Sequence, residues 1–318
     1  MTPTSHLDVS PAGLRTQVER RLQELVPRPD GEPLGVAAAA HSSVLGGGKR
    51  LRPLLLLLAG QALGCRSPGL LDLACAVEMV HCASLVLDDM PSMDNAALRR
   101  GQPTVHLRYG EDVAMLTAVA LVSEACRVAA CAPSLGGAVR ARVVQVLCEA
   151  IGPMGLVGGQ YRDLRDAPGA RTASAVAEAN DQKTGVLFAA VLEIAARASG
   201  RAGEVRALRR AGYAIGQAFQ LRDDLEDAVP GLAPAEDAGK DTLVHLLGAP
   251  AVRGLVHAHL LDALRWLRTA LGHEDPRLTE LLRAAFADAR PQDDLVAPMR
   301  TPLRLAPAKA DASLAAPG

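Results

Sequence analysis

With 318 residues, 49% of them apolar, and a formal net charge of -1, the chain is long enough for one or two domains and carries no global field that would attract nucleic acid. Aromatic residues make up only 2%, while Leu and Ala abound, a balance that favours helix over sheet. The six cysteines form no CxxC pair and no secretory leader is legible, so a reduced, cytoplasmic setting is expected.

Residues 1–10 read as a frayed leader, and an amphipathic pattern over 11–26 predicts a first surface helix. PRPDGEP then reads as a linker. Helical patterns recur over 35–45, 53–64, 69–90, 111–131, 137–163, 172–199, 203–228, 250–271 and 275–289, with Gly and Pro between them, as in GGGKRLRP, RSPG, APSLGG and APGA. The run Leu54–Leu58 falls far short of the roughly 20 apolar residues a membrane span requires, so it predicts a core helix. Neither a strand pair nor a fixed-period repeat is legible. The Ala/Pro-rich tail from Thr301 predicts disorder over 301–318. The expectation is one all-α domain of about ten helices over 1–300, with no membrane span.

Two segments carry chemistry. In HCASLVLDDMPSMDNAALRRGQPTVH (81–106) an apolar helix stops at Asp88 and Asp89. At about 100° per residue His81 lies on the face of Asp88, two turns earlier, and Ser84 lies one turn away. Pro91 ends the helix and lets Asp94 fold back towards Asp88. Acids at a helix C-terminus meet the negative end of the helix dipole and one another. A divalent cation removes both objections, and oxygen ligands with open positions suit Mg²⁺. One such cluster alone is as readily a solvated acidic loop. GYAIGQAFQLRDDLED (212–227) repeats the pattern, however: Asp223, Asp224 and Asp227 share one side of a second helix end, one turn after Gln220. Two acidic walls facing each other across a metal site explain both.

The cations complete this reading. GGGKRLRP places Lys49 and Arg52 around a Gly-rich helix start, Arg99 and Arg100 follow the first acidic cluster, QKTG places Lys183 and Thr184 in an apolar helix, and DAGKDT adds Lys240. Each alone is as well explained by a solvated or snorkelling side chain. Together with the acids they describe a site for Mg²⁺-bridged phosphates, with cations enough for two diphosphates.

The ordered motifs GGKRLRP, HCASLVLDDMPSMDNAALRRGQPTVH, GLVGGQYRDL, KTG, GQAFQLRDDLED and AGKDTLVHLLG resemble the trans-isoprenyl diphosphate synthase (polyprenyl synthetase) family over about residues 15–290. Within that family they are most similar to the bacterial carotenoid-pathway branch that makes geranylgeranyl diphosphate. The resemblance implies an isoprenoid-synthase helical bundle around a central cavity, a homodimer, and two or three Mg²⁺ ions held by Asp88, Asp89, Asp94, Asp223, Asp224 and Asp227. It implies that Lys49, Arg52, His81 and Arg100 bind isopentenyl diphosphate, and that Arg99, Lys183, Thr184, Gln220 and Lys240 bind the allylic diphosphate. One departure stands out: AVPGLAPAE, after the second acidic cluster, lacks a lysine that relatives carry there, which implies weaker allylic binding. Ala83, Ser84 and Val80 are small where shorter-chain relatives carry an aromatic at the position of Ala83, which implies a C20 product rather than C15. A farnesyl or longer-chain synthase is the alternative in product length. A terpene cyclase, a non-catalytic subunit of the same fold and a purely structural bundle are the alternatives in kind, and none of them calls for both acidic clusters and the cations together.

Overall fold

The computed structural model describes residues 10–28, 30, 34–165, 173–228 and 242–287. The expected tail, the AVPGLAPAE loop from 229 onward and Lys240 lie outside the described residues.

Helix α1 (Pro11–Leu25) starts where the sequence provides a cap and an N1 proline: the Ser10 hydroxyl accepts from the Gly13 amide at 3.1 Å. Then come α2 (Leu34–Leu45), α3 (Leu51–Ala62) and α4 (Gly69–Asp88). In α3 every residue from Leu51 to Gly60 is buried, as the apolar run predicts for a core helix. A short hairpin, β1 (Leu98–Arg99) with β2 (Gln102–Pro103), leads into α5 (Val105–Tyr109) and α6 (Glu111–Ala130). Then follow α7 (Gly137–Ile151), α8 (Leu156–Arg165), α9 (Ala173–Asn180), a π-helical turn (Asp181–Gly185) and α10 (Val186–Ala198). A 3₁₀ turn (Ala202–Glu204) precedes α11 (Val205–Asp227), and α12 (Leu243–Leu247), α13 (Ala249–Leu271) and α14 (Pro276–Ala285) follow. Helix α4 packs on α3 and α6, α10 on α3 and α11, and α11 on α13. Helix α10 touches both acid-ended helices, α4 and α11.

The fold is all-α, with three local corrections to the sequence reading. The single helix expected over 137–163 is two, because Gly152 and Pro153 interrupt the hydrogen-bond ladder between α7 and α8. The helix expected over 172–199 contains the π-helical turn. A strand pair does exist: Arg99 pairs with Gln102 around Arg100 and Gly101, whose φ angles of 54° and 75° suit a tight primed turn.

By length and composition three stretches, Gly69–Asp88, Glu111–Ala130 and Gly137–Arg165, could cross a bilayer. In the fold, however, 72% of the most apolar window of α4 is covered by protein. The other two leave apolar faces outward: Met115, Leu116 and Val119 on α6, and Val157, Tyr161 and Leu164 on α8, with Met154 just before it.

Candidate active site

The first acidic cluster divides. The Asp94 amide donates to the Asp88 carbonyl at 2.9 Å, so the turn at Pro91 brings Asp94 back beside Asp88. Burial pushes the Asp88 carboxyl up to about 6, against the pull of Lys183 and with Asp94 adding to the rise. Asp89 is drawn to a cation as well. Its buried carboxylate accepts from Arg99 Nε at 2.9 Å and Nη2 at 2.5 Å. The three carboxylates act on one another, Asp89 on Asp88 and Asp94 on Asp89, but the hairpin also delivers Arg99 to the side of Asp89.

The second cluster divides in the same way. Asp223 accepts from Arg222 Nη2 at 2.5 Å. Asp224, whose carboxyl burial pushes up to about 6, accepts from Gln220 Nε2 at 3.1 Å. Gln220 Oε1 accepts in turn from the Thr184 hydroxyl at 2.9 Å. The KTG segment and the second acidic cluster are therefore joined by one relay of hydrogen bonds. Asp227 is exposed at the helix end.

Lys183 stands between the walls. Its ammonium donates to Asp163 Oδ2 on α8 at 2.8 Å. Burial opposes its charge, but Asp163, Asp88 and Asp94 outweigh that and raise its pKa. Asp163 also adds to the rise at Asp224. The sequence reading does not single out Asp163. The available signal is GLVGGQYRDL itself, where Asp163 lies one turn after Gly159 on the face that meets the π-helical turn. That face needs glycine: a Cβ on Gly159 would sit 2.5 Å from the Lys183 amide nitrogen.

The remaining cations gather at the start of α3. Lys49 is exposed. Arg100 donates to the Gly47 carbonyl and lies against Gly48. Glycine suits position 48 because its φ is +130°, and any Cβ there would also push the Arg100 guanidinium aside from its place 2.7 Å away. Arg52 is buried, 7% exposed, with its guanidinium 4.3 Å from the centre of the Phe188 ring and 3.3 Å from His81 Nε2. Burial lowers its pKa to about 10, which leaves it charged at neutral pH. Burial and then the Arg52 charge hold His81 well below its usual value, so its imidazole is neutral and accepts from Arg52. Arg50, between Lys49 and Arg52, has a structural role: it is buried, pairs with Glu78 at 2.8 Å and donates to the Val44 carbonyl at 2.7 Å.

Ala83 and Val80 are buried in the core, 1% and 2% exposed, and the half-buried Ser84 donates its hydroxyl to the His81 carbonyl at 2.9 Å.

Among the described residues no three acidic, His or Cys side chains are gathered to hold an ion unaided. The donor set nonetheless fits Mg²⁺, which takes one or two carboxylates and completes its shell with phosphate oxygens and water. The Asp88–Asp94 and Asp224–Asp227 pairs offer hard oxygen ligands of that kind, and their mutual repulsion is what a cation would relieve.

Residues 35–283 match the family model described as polyprenyl synthetase. The chain is 48% identical over 265 residues to a geranylgeranyl diphosphate synthase of Pantoea ananas, covering 82% of this chain and 87% of that one. It is 47% identical over 262 residues to the protein of the same name from Pseudescherichia vulneris, covering 81% and 85%. An FPP/GFPP synthase from Zymomonas mobilis superposes with a TM-score of 0.76 at 30% identity, covering 88% of this chain and 97% of that one. A geranyltransferase from Legionella pneumophila gives 0.77 at 29%, covering 87% and 96%. With the family model spanning most of the chain and relatives near half identity, the chain belongs to the polyprenyl synthetase family.

Proposed function

We propose that this chain is a prenyltransferase that condenses isopentenyl diphosphate with an allylic diphosphate of C5 to C15, giving an all-trans product, geranylgeranyl diphosphate. One observation carries the reading: the Lys183–Asp163 ion pair acts on both acidic helix ends, Lys183 on Asp88 and Asp163 on Asp224. The identity with geranylgeranyl diphosphate synthases supports the choice of product.

Arg99, Lys183, Thr184 and Gln220, with Lys240 from the sequence, hold the allylic diphosphate. Lys49, Arg52, His81 and Arg100 hold isopentenyl diphosphate. Asp88 and Asp94 on one wall, and Asp224 and Asp227 on the other, would hold two or three Mg²⁺ ions, with Asp89 and Asp223 in support, and the ions supply Lewis-acid stabilisation of charge on the departing diphosphate. Arg99 and Lys183 add fixed positive charge where that diphosphate develops its own. The double bond of isopentenyl diphosphate attacks the allylic cation, and a proton then leaves to the released diphosphate. Water would quench the cation, so the apolar faces of α3, α4 and α10 serve to exclude it. Ala83, Ser84 and Val80 leave room for a growing C20 tail.

The outward apolar faces of α6 and α8 support a homodimer, since faces of this kind mark association surfaces. The motif resemblance to the carotenoid-pathway branch supports a place in carotenoid biosynthesis, and the cysteine usage supports a cytoplasmic setting.

The test is to incubate purified protein with Mg²⁺, isopentenyl diphosphate and farnesyl diphosphate. A C20 diphosphate is expected. A hydrocarbon would replace the reading with a cyclase, and no turnover would replace it with a non-catalytic subunit.

A further inference from the structure

The chain has three phenylalanines, and all three stack with two buried arginines in one ladder. The Arg52 guanidinium lies 4.3 Å from the centre of Phe188 and 5.3 Å from that of Phe219. The Arg222 guanidinium lies 4.4 Å from Phe219 and 5.7 Å from Phe286. The rungs come from four places far apart in sequence: α3, α10, α11 and the residue that ends α14.

Arg222 is 5% exposed and is held from several sides. Rings of Phe219 and Phe286 hold its plane, and Nη1 donates to the Ala285 carbonyl at 3.0 Å. Nε lies 3.2 Å from the Glu226 carboxylate, an ion-pair contact whose angle makes no hydrogen bond. The remaining arm, Nη2, reaches Asp223 Oδ1 at 2.5 Å. The Asp223 side chain keeps 35% of its surface open, so one face remains for a ligand. Its charge also acts on Arg52, so the ladder and the acid cluster meet at this carboxylate.

We propose that Arg222 is a positioning residue: clamped between Phe219 and Phe286, it fixes the orientation in which Asp223 faces a Mg²⁺–diphosphate group, and so links the end of α14 to the second acidic wall. The fork of a guanidinium suits this task, because it can stack, bond a carbonyl and bond a carboxylate in one plane, which an ammonium cannot. The inference rests on the diphosphate-binding reading above, but not on turnover.

The test uses the full chain, with Mg²⁺ and inorganic diphosphate as probe and calorimetry as readout. Arg222→Met is expected to weaken Mg²⁺-dependent diphosphate binding by about 10- to 100-fold, the range typical of losing the partner that orients a metal-binding carboxylate. Arg222→Lys should recover only part of it. Phe286→Leu, which leaves every charge in place, should weaken binding in the same direction and by less. A purely structural role would lower the unfolding temperature and leave the Mg²⁺ requirement untouched. Folded Arg222→Met with wild-type affinity overturns the proposal. If that variant does not fold, unchanged affinity in Phe286→Leu overturns it. Failure of the wild type to bind Mg²⁺–diphosphate would instead refute the functional reading itself.

Discussion

The π-helical turn that carries Lys183 and Thr184 is clamped by glycines on both sides, so it can be perturbed without touching a charged residue. A Cβ on Gly216 would stand 3.0 Å from the Gly185 nitrogen and closer still to its Cα, against the 3.4–4 Å of ordinary contact. Both atoms belong to backbone and cannot rotate aside, so the turn must move by several tenths of an ångström or more. The 2.9 Å bond from Thr184 to Gln220 is the first contact at risk. Overpacking costs about 1–3 kcal/mol, and Gly→Ala in a helix interior returns about 0.5–1 kcal/mol, so the net loss of stability is centred near about 1 kcal/mol. A 1 Å misplacement in a positioning group costs about 100-fold in rate, or about 2.7 kcal/mol of barrier. Gly216→Ala should therefore lose far more activity than stability. Gly212→Ala is the control: one turn earlier on α11, its Cβ would meet the Ala189 Cα at 2.5 Å, a similar clash away from the turn. Steady-state condensation rates and urea unfolding on both variants decide the matter. Near-wild-type turnover in Gly216→Ala, or equal loss in Gly212→Ala, refutes the argument.

Ala83→Tyr should shift the product from C20 towards C15 by chromatography of the dephosphorylated products; an unchanged distribution would show that α4 does not bound the growing tail. Glu78→Ala removes the buried carboxylate from Arg50, leaving it the Val44 carbonyl and the half-exposed Glu19 at 4.0 Å, and should cost about 2–4 kcal/mol in urea unfolding, with much of it recovered in the double variant carrying Arg50→Met; a loss below about 1 kcal/mol contradicts the buried pair. Val119→Glu charges the outward face of α6 and should yield monomers in sedimentation, where a persisting dimer places the interface elsewhere. Burial raises Asp181 to about 6, against the Gln217 hydrogen bond. A raised folded pKa stabilises fully below the usual carboxylate value and loses that contribution as pH rises through about 6. Asp181→Asn should therefore lose less unfolding temperature than the wild type between pH 5 and 7.5, and parallel curves would refute the assignment.

The acidic helix ends, the core helix with its run of leucines and the turn at Pro91 are legible because each is a local pattern: periodicity, a proline, a charge where a helix dipole opposes it. What is not legible depends on contacts between distant segments. Asp89 reads as a third ligand because nothing local shows that the hairpin returns Arg99 to its side of α4. Arg52 reads as an exposed cation beside Lys49, yet Phe188 and Phe219, each more than a hundred residues away, bury it. Asp163 reads as one surface acid among Arg162 and Arg165 until α8 is packed against the π-helical turn. That turn is hidden for another reason: one extra residue in a helical ladder leaves the apolar pattern almost intact.

The two aspartate doublets repeat one physical device. Adjacent residues on a helix diverge by about 100°, so a doublet at a helix end cannot send both carboxylates to the same ligand. In each wall one member is tied to an arginine, Asp89 to Arg99 and Asp223 to Arg222, and burial raises the pKa of both members, to about 6 at the untied Asp88 and Asp224. The tied acids are not spare ligands. Asp89 holds a cation assigned to the allylic diphosphate, and Asp223 stands between Arg222 and Arg52. The raised pKa of the other members records unrelieved burial and repulsion, which a bound cation would release. The doublets thus join two tasks within one turn of helix: one acid faces the metal directly, and its neighbour is held by an arginine that fixes how it faces the same metal–phosphate group.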